Sequence, residues 1–164
     1  MAKRRIEEDY LRILRFFRFH AAYGKGRPDP KGLAACKKLR KGLTQISAER
    51  LRQELLKLLV AEGAVAALQV MAKTGVLVQI IPYTDDWRVI KCLPTDDILR
   101  LIALAKEPEG RKEKLRLSNA EAERITAAIS APQITPSFRQ NHRSALPYQL
   151  GPEAWRARVW PAGT

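Results

Sequence analysis

Between Glu7 and Tyr23, apolar side chains recur every three or four residues. At about 100° of turn per residue, Ile6, Tyr10, Ile13, Leu14, Phe17 and Ala21 fall on one face. Arg5, Glu8, Asp9, Arg12 and Arg15 fall on the other. The pattern predicts one amphipathic helix over 7–23, ended by Gly24 and Gly26. Arg27-Pro28-Asp29-Pro30 then reads as a turn. A second helix is expected over 30–41, stopped by Gly42. A third is expected over 48–60, with Ser47 as its N-cap and Glu49 in the first turn, where the helix dipole favours an anion. Leu51, Leu55, Leu58 and Leu59 sit in it at helical spacing. A fourth ends at Lys73 with Gly75 just beyond, and residues 76–81 read as an extended apolar link closed by Pro82.

Thr95 or Asp96 is placed to cap a helix reaching residue 106. Ser118 with Glu121 has the spacing of a capping box for a helix to Ser130. Pro132 and Pro136 break the chain before a last helical region over 137–160, interrupted around Pro147 and Gly151. Aromatics are 7% of the chain and glycine is sparse, with 9 in 164 residues, which disfavours a strand-rich sandwich. The hydrophobic share of 46% is enough to bury a core at this length. The expected fold class is all-α, with about seven helices and no βαβ alternation.

The net charge is +13, from 30 Lys and Arg against 17 Asp and Glu. Such a charge attracts polyanions; nucleic acid is the expected partner and an anionic membrane the lesser alternative. Residues 1–60 carry 16 of the cations and 6 of the acids, so the electrostatic footprint lies in the first third. Cys36 and Cys92 share no metal-ligand spacing and read as thiols of a reducing compartment. MAKRRIEEDY lacks the apolar core of a secretory signal, and the apolar stretch 63–82 is interrupted by Gln69, Lys73, Gly75 and Gln79. A soluble, cytoplasmic protein with no membrane partner is expected.

Three motifs occur in order. The first is Glu8-Asp9-Tyr10-Leu11-Arg12, continued by Arg15 and by Arg18-Phe19. The second is Ile46-Ser47-Ala48-Glu49-Arg50-Leu51-Arg52-Gln53-Glu54-Leu55. The third runs from Gly75-Val76-Leu77 to Ile81-Pro82. Together they resemble the nucleotide-recognition motif E-D-x-x-R, the later I-S-x-E-R-I-x-x-E-L motif and the end of the body in class II nucleotidyltransferases, the CCA-adding tRNA enzymes and bacterial poly(A) polymerases. The resemblance covers about residues 4–82 and implies a helical neck and body without the catalytic β-sheet head. It implies a division at residue 82: neck and first part of the body over 1–82, remaining body helices over 83–164, ending before the tail.

The chemistry of the first motif stands beside that resemblance. On a continuous helix Asp9 and Arg12 lie side by side, three residues apart. A carboxylate only accepts hydrogen bonds and a guanidinium only donates. Cytosine and adenine each present an amino donor beside a ring-nitrogen acceptor, which this pair complements. Guanine and uracil present the reverse, and each polar group left unpaired in a buried site costs roughly 1–3 kcal/mol. The resemblance implies that Asp9 and Arg12 are the template for the incoming base, and that Arg15 and Arg18 bind the nucleotide, phosphate being the natural partner of a guanidinium. Glu8 is expected to orient Arg12 or cap the helix start. Ser47, Glu49 and Arg50 are expected to support the neck. His20 and His142 read as surface or packing histidines, and Trp87, Trp155 and Trp160 as core residues.

Phosphoryl transfer to an RNA end needs metal ions held by carboxylates. The chain has no D-x-D; Asp85-Asp86 and Asp96-Asp97 are adjacent and point to different sides of an element. No catalytic and no metal-binding residue is assigned to it, and the chain is expected to be a fragment or a subunit of a split enzyme. Mg2+ is expected only in a separate head domain, with ATP and CTP as substrates and tRNA or another RNA as partner. Two functions remain open. One is the nucleotide-selecting, RNA-binding portion of an enzyme of CCA addition or polyadenylation, inactive without a head. The other is a free-standing basic helical module that binds RNA or a protein without catalysis.

Overall fold

The structure is a computed structural model that describes residues 2–105 and 115–130. The described residues form eight α-helices and two 3-10 turns, with no strand. In chain order these are α1 (Ala2–Glu8), α2 (Leu11–Tyr23), α3 (Pro30–Leu39), a 3-10 turn at Arg40–Gln45, α4 (Ala48–Leu59), α5 (Ala64–Lys73), a 3-10 turn at Leu77–Gln79, α6 (Trp87–Cys92), α7 (Asp97–Leu104) and α8 (Asn119–Ser130). The all-α class expected from the apolar period is the class observed. The expected helical region over 137–160, with His142, Trp155 and Trp160, lies outside the described residues.

The apolar faces read from the sequence are the faces that pack. Ile13, Leu14 and Phe17 of α2 meet Leu55, Leu58 and Leu59 of α4 and Leu68 and Met71 of α5 in one cluster, all fully buried. Leu101 and Leu104 extend the cluster through α7, and it runs on both sides of residue 82. Truncating one of these leucines to alanine costs about 2–5 kcal/mol in a core of this kind.

Local caps behave as their chemistry dictates. Asp96 accepts a hydrogen bond from the Leu99 backbone N–H at 2.8 Å and starts α7. Glu121 accepts from the Ser118 backbone N–H at 2.8 Å, while its own N–H donates to Ser118 Oγ at 3.3 Å, completing the capping box. Gly75 takes a φ of 70°, its N–H donates to Ala72 O, and Val76 N–H reaches back to Met71 O at 2.9 Å. That is the double bond pattern that closes a helix on a left-handed glycine. Asp29 caps α3 by accepting from Gly32 N–H at 2.6 Å, ahead of Pro30 in the first turn. Ser47 occupies the N-cap position of α4 in extended conformation, but its side chain makes no capping bond.

Three expectations are corrected. The helix over 7–23 is two helices, because Asp9 Oδ1 accepts from Leu11 N–H at 3.1 Å, the local bond by which aspartate competes with helix. Gly42 does not stop the chain, which continues through it as the 3-10 turn. Its hydrogen faces the Tyr10 ring, where a Cβ would come within 2.1 Å of Cδ1. Residues 76–81 are not extended: Val76 and Ile80 are right-handed helical, and Ile80 and Ile81 both donate to Leu77 O. A further helix, α6, arises in a stretch for which no element was expected, its Val89 and Ile90 buried.

Candidate nucleic-acid interface

The break at Asp9 makes a corner between α1 and α2, and the second motif meets the first there. Arg50 Nη2 lies 3.5 Å from Asp9 Oδ1, and the Arg12 backbone N–H donates to Asp9 O at 3.0 Å. Asp9 is half-buried, whereas Arg12 is exposed and its side chain has no hydrogen bond or ion pair among the described residues. The corner therefore holds an acceptor whose second oxygen is free and a donor fork that is free entirely. Glu8 does not turn toward Arg12. It ends α1 and pairs with Arg4 across one turn at 4.0 Å.

Arg15 and Arg18 face α4. Arg18 Nε donates to Glu54 Oε2 at 2.8 Å, and Arg15 Nε lies 3.9 Å from Glu54 Oε1. Lys57 Nζ is 4.0 Å from the same oxygen, and Glu54 is 6% exposed. A buried carboxylate demands such partners, so one acid of the second motif gathers the later cations of the first. The Arg18 guanidinium also covers the Phe19 ring, 4.4 Å from its centroid. Glu54 was not singled out in the sequence. The signal for it was an acid among leucines on the apolar side of its helix.

Two further residues of the second motif reach toward the C-terminal elements. Glu49 pairs with Arg116 at 3.5 Å, and its carboxyl is held below the usual range, first by its own backbone N–H and then by Arg116. Arg52 donates to the carbonyls of Leu115 and Arg116 and lies 3.3 Å from Glu121. Arg100, also unremarked in the sequence, is buried within α7. Its guanidinium donates to Leu59 O at 2.8 Å and Pro94 O at 3.1 Å, closing the end of α4, and burial lowers its pKa.

With so many acids paired internally, the surplus positive charge lies on α3 and its flanks. Lys25, Arg27, Lys31, Lys37, Lys38 and Lys41 are exposed and form no ion pair among the described residues. The one acid between them, Asp29, has a carboxylate engaged in capping α3. Lys31 and Lys38 stand seven residues apart, on the same side of α3. Gly32 and Cys36 face inward, and burial pushes the Cys36 thiol up to about 11. Trp87 packs on the core with its ring 6.0 Å from that of Tyr83. Among the described residues no helix is long and apolar enough to cross a membrane.

Residues 27–88, which include α3 and α4, match a family described as the probable RNA and SrmB- binding site of polymerase A. Three vertebrate proteins named CCA tRNA nucleotidyltransferase 1, mitochondrial, are similar over part of the chain. The zebrafish (Danio rerio) protein is 43% identical over 76 residues, 45% of this chain and 18% of its own length. The human (Homo sapiens) protein is 53% identical over 64 residues, 36% of this chain and 14% of its own. The mouse (Mus musculus) protein is 42% identical over 80 residues, 46% of this chain and 18% of its own. The chain thus spans less than a fifth of the length of each of these relatives.

Proposed function

We propose that the chain carries the neck and body region of the CCA-adding and poly(A) polymerase family, and that it grips RNA and selects the incoming nucleotide for a nucleotidyltransferase head. RNA grip is assigned to the exposed cations from Lys25 to Lys41. The observation that carries this reading is their freedom from internal partners among the described residues, all but Lys25 lying in the segment that matches the RNA-binding family. Lysines on a helix face without acids neutralise phosphates and release counterions.

Nucleotide choice is assigned to the Asp9–Arg12 corner. Arg50 orients the Asp9 carboxylate, and Arg12 supplies the donor fork beside it. Arg15 and Arg18 shape the pocket wall through Glu54, with phosphate contact left to the exposed part of Arg15. On this reading the metal-binding carboxylates and their Mg2+ belong to the head, and ATP and CTP are the substrates. We further propose a cytoplasmic site of action, consistent with two free cysteines.

Two measurements test the proposal. Binding of tRNA is followed against salt for the full chain and for Lys37→Glu with Lys38→Glu. The double variant is expected to lower the logarithmic salt slope by about 1–2. A head domain added in trans is then expected to restore incorporation of CMP and AMP. If tRNA binds but no head restores incorporation, the chain is a binding module without a part in catalysis. If tRNA does not bind, the RNA reading is wrong.

A further inference from the structure

A hollow of about 420 Å³ opens between α5 and α6, lined by Gln69, Ala72, Lys73, Tyr83, Asp85 and Trp87. Its volume lies in the range of small-ligand pockets, roughly 300–1,000 Å³. The aromatic wall is held by the fold. Tyr83 pairs in an antiparallel bridge with Ala105, and Thr84 N–H donates to Leu104 O at 2.8 Å. Trp87 N–H donates to Asp85 O at 2.9 Å, and the two rings tilt by 31° at 6.0 Å. The rim is polar and unengaged: the side chains of Gln69, Lys73 and Asp85 have no partner among the described residues.

We propose that this hollow receives one unpaired base of a bound RNA strand. The inference rests on the RNA reading above, and the hollow falls within the segment that matches the RNA-binding family. Aromatic faces stack on any base, and a lysine beside them meets the backbone phosphate. Asp85 adds a preference. An ionised carboxylate only accepts hydrogen bonds, so it meets the exocyclic amine of adenine, cytosine or guanine. Uracil offers only its N3–H, flanked by two carbonyl oxygens that repel the carboxylate, and is matched less well. The site therefore holds a strand at a base and disfavours uracil there.

The test is fluorescence anisotropy of labelled oligoadenylate and oligouridylate with the full chain. The unaltered protein is expected to bind oligoadenylate more tightly. Trp87→Ala is expected to weaken that binding about tenfold, Trp87→Phe to retain most of it, and neither to change the salt slope, because no phosphate contact is lost. Asp85→Ala removes an exposed carboxylate and is expected to erase the preference for adenylate. If Trp87→Ala unfolds the protein, as circular dichroism would report, Asp85→Ala decides alone. Unchanged oligoadenylate affinity in folded Trp87→Ala and Tyr83→Ala, or an unchanged preference in Asp85→Ala, overturns the subsite while RNA binding stands. A chain that binds neither oligomer nor tRNA overturns the subsite together with the RNA reading beneath it.

Discussion

Arg18 of α2 and Glu54 of α4 meet at 2.8 Å across 36 residues of sequence, with the Glu54 side chain 8% exposed. This bond joins the helix that carries the corner proposed to choose the base to the helix that steadies it. Glu54→Gln keeps the shape but removes the charge that Arg18, Arg15 and Lys57 surround. Breaking a buried pair costs about 3–5 kcal/mol, less where the cations are partly exposed as here. A loss of about 1.5–3 kcal/mol is expected in urea unfolding. A change under about 0.5 kcal/mol would show that the pair is not the anchor between the two helices.

Arg12 and Arg50 should separate function from stability. Arg12 is exposed and unpartnered, so Arg12→Ala is expected to shift stability by less than about 0.5 kcal/mol. Arg50→Ala removes a half-exposed ion pair to Asp9, worth at most about 1 kcal/mol. With a head domain supplied in trans, Arg12→Ala is expected to abolish the choice of CMP and AMP over GMP and UMP. Arg50→Ala is expected to blur it. Incorporation ratios from four-nucleotide competition check both; wild-type ratios in Arg12→Ala would remove the corner from nucleotide selection.

Cys36 links pH to stability. Its thiol has no exposure, and burial raises its pKa from 9.0 to about 11. The folded state therefore holds the proton over a window in which the unfolded state releases it. Stability from this group is complete below pH 9 and falls as pH rises toward 11, by about 1.4 kcal/mol per unit at most. Cys36→Ala is expected to flatten unfolding free energy between pH 9 and 11. A native thiol assay at pH 8 should also find Cys36 unreactive until the chain unfolds.

Gly42 reports on the corner from the other side. A methyl group there would overlap the Tyr10 ring, which sits between Asp9 and Leu11. Gly42→Ala is expected to cost about 1–3 kcal/mol, as overpacking does. It should also disturb nucleotide choice without touching a polar group. A variant as stable as the parent would mean that the ring swings aside freely.

What could be read from the chain alone is what its atoms decide within one helical turn. The period of Ile13, Leu14 and Phe17, and of Leu51, Leu55 and Leu58, required helices with these faces inward, because no other regular backbone gathers those side chains. Asp96, the Ser118–Glu121 box and Gly75 capped or closed helices as expected, since each bond spans five residues or fewer. Asp9 was legible too, as a residue that competes with helix, but the strength of the surrounding period hid the break.

The partners of Glu54, Arg50, Arg52 and Arg100 were decided only by the packing of one helix on another. Glu54 and Arg100 stand in apolar runs where the sequence shows a charge and cannot show its counterpart 36 or 41 residues away. Sequence spacing determines which residues share a face of one helix. The approach of two helices, set by the fit of their buried leucines, determines which charges meet across them. That is why the helices and most of their ends were present in the chain, while the binding of the corner to its support exists only in the fold.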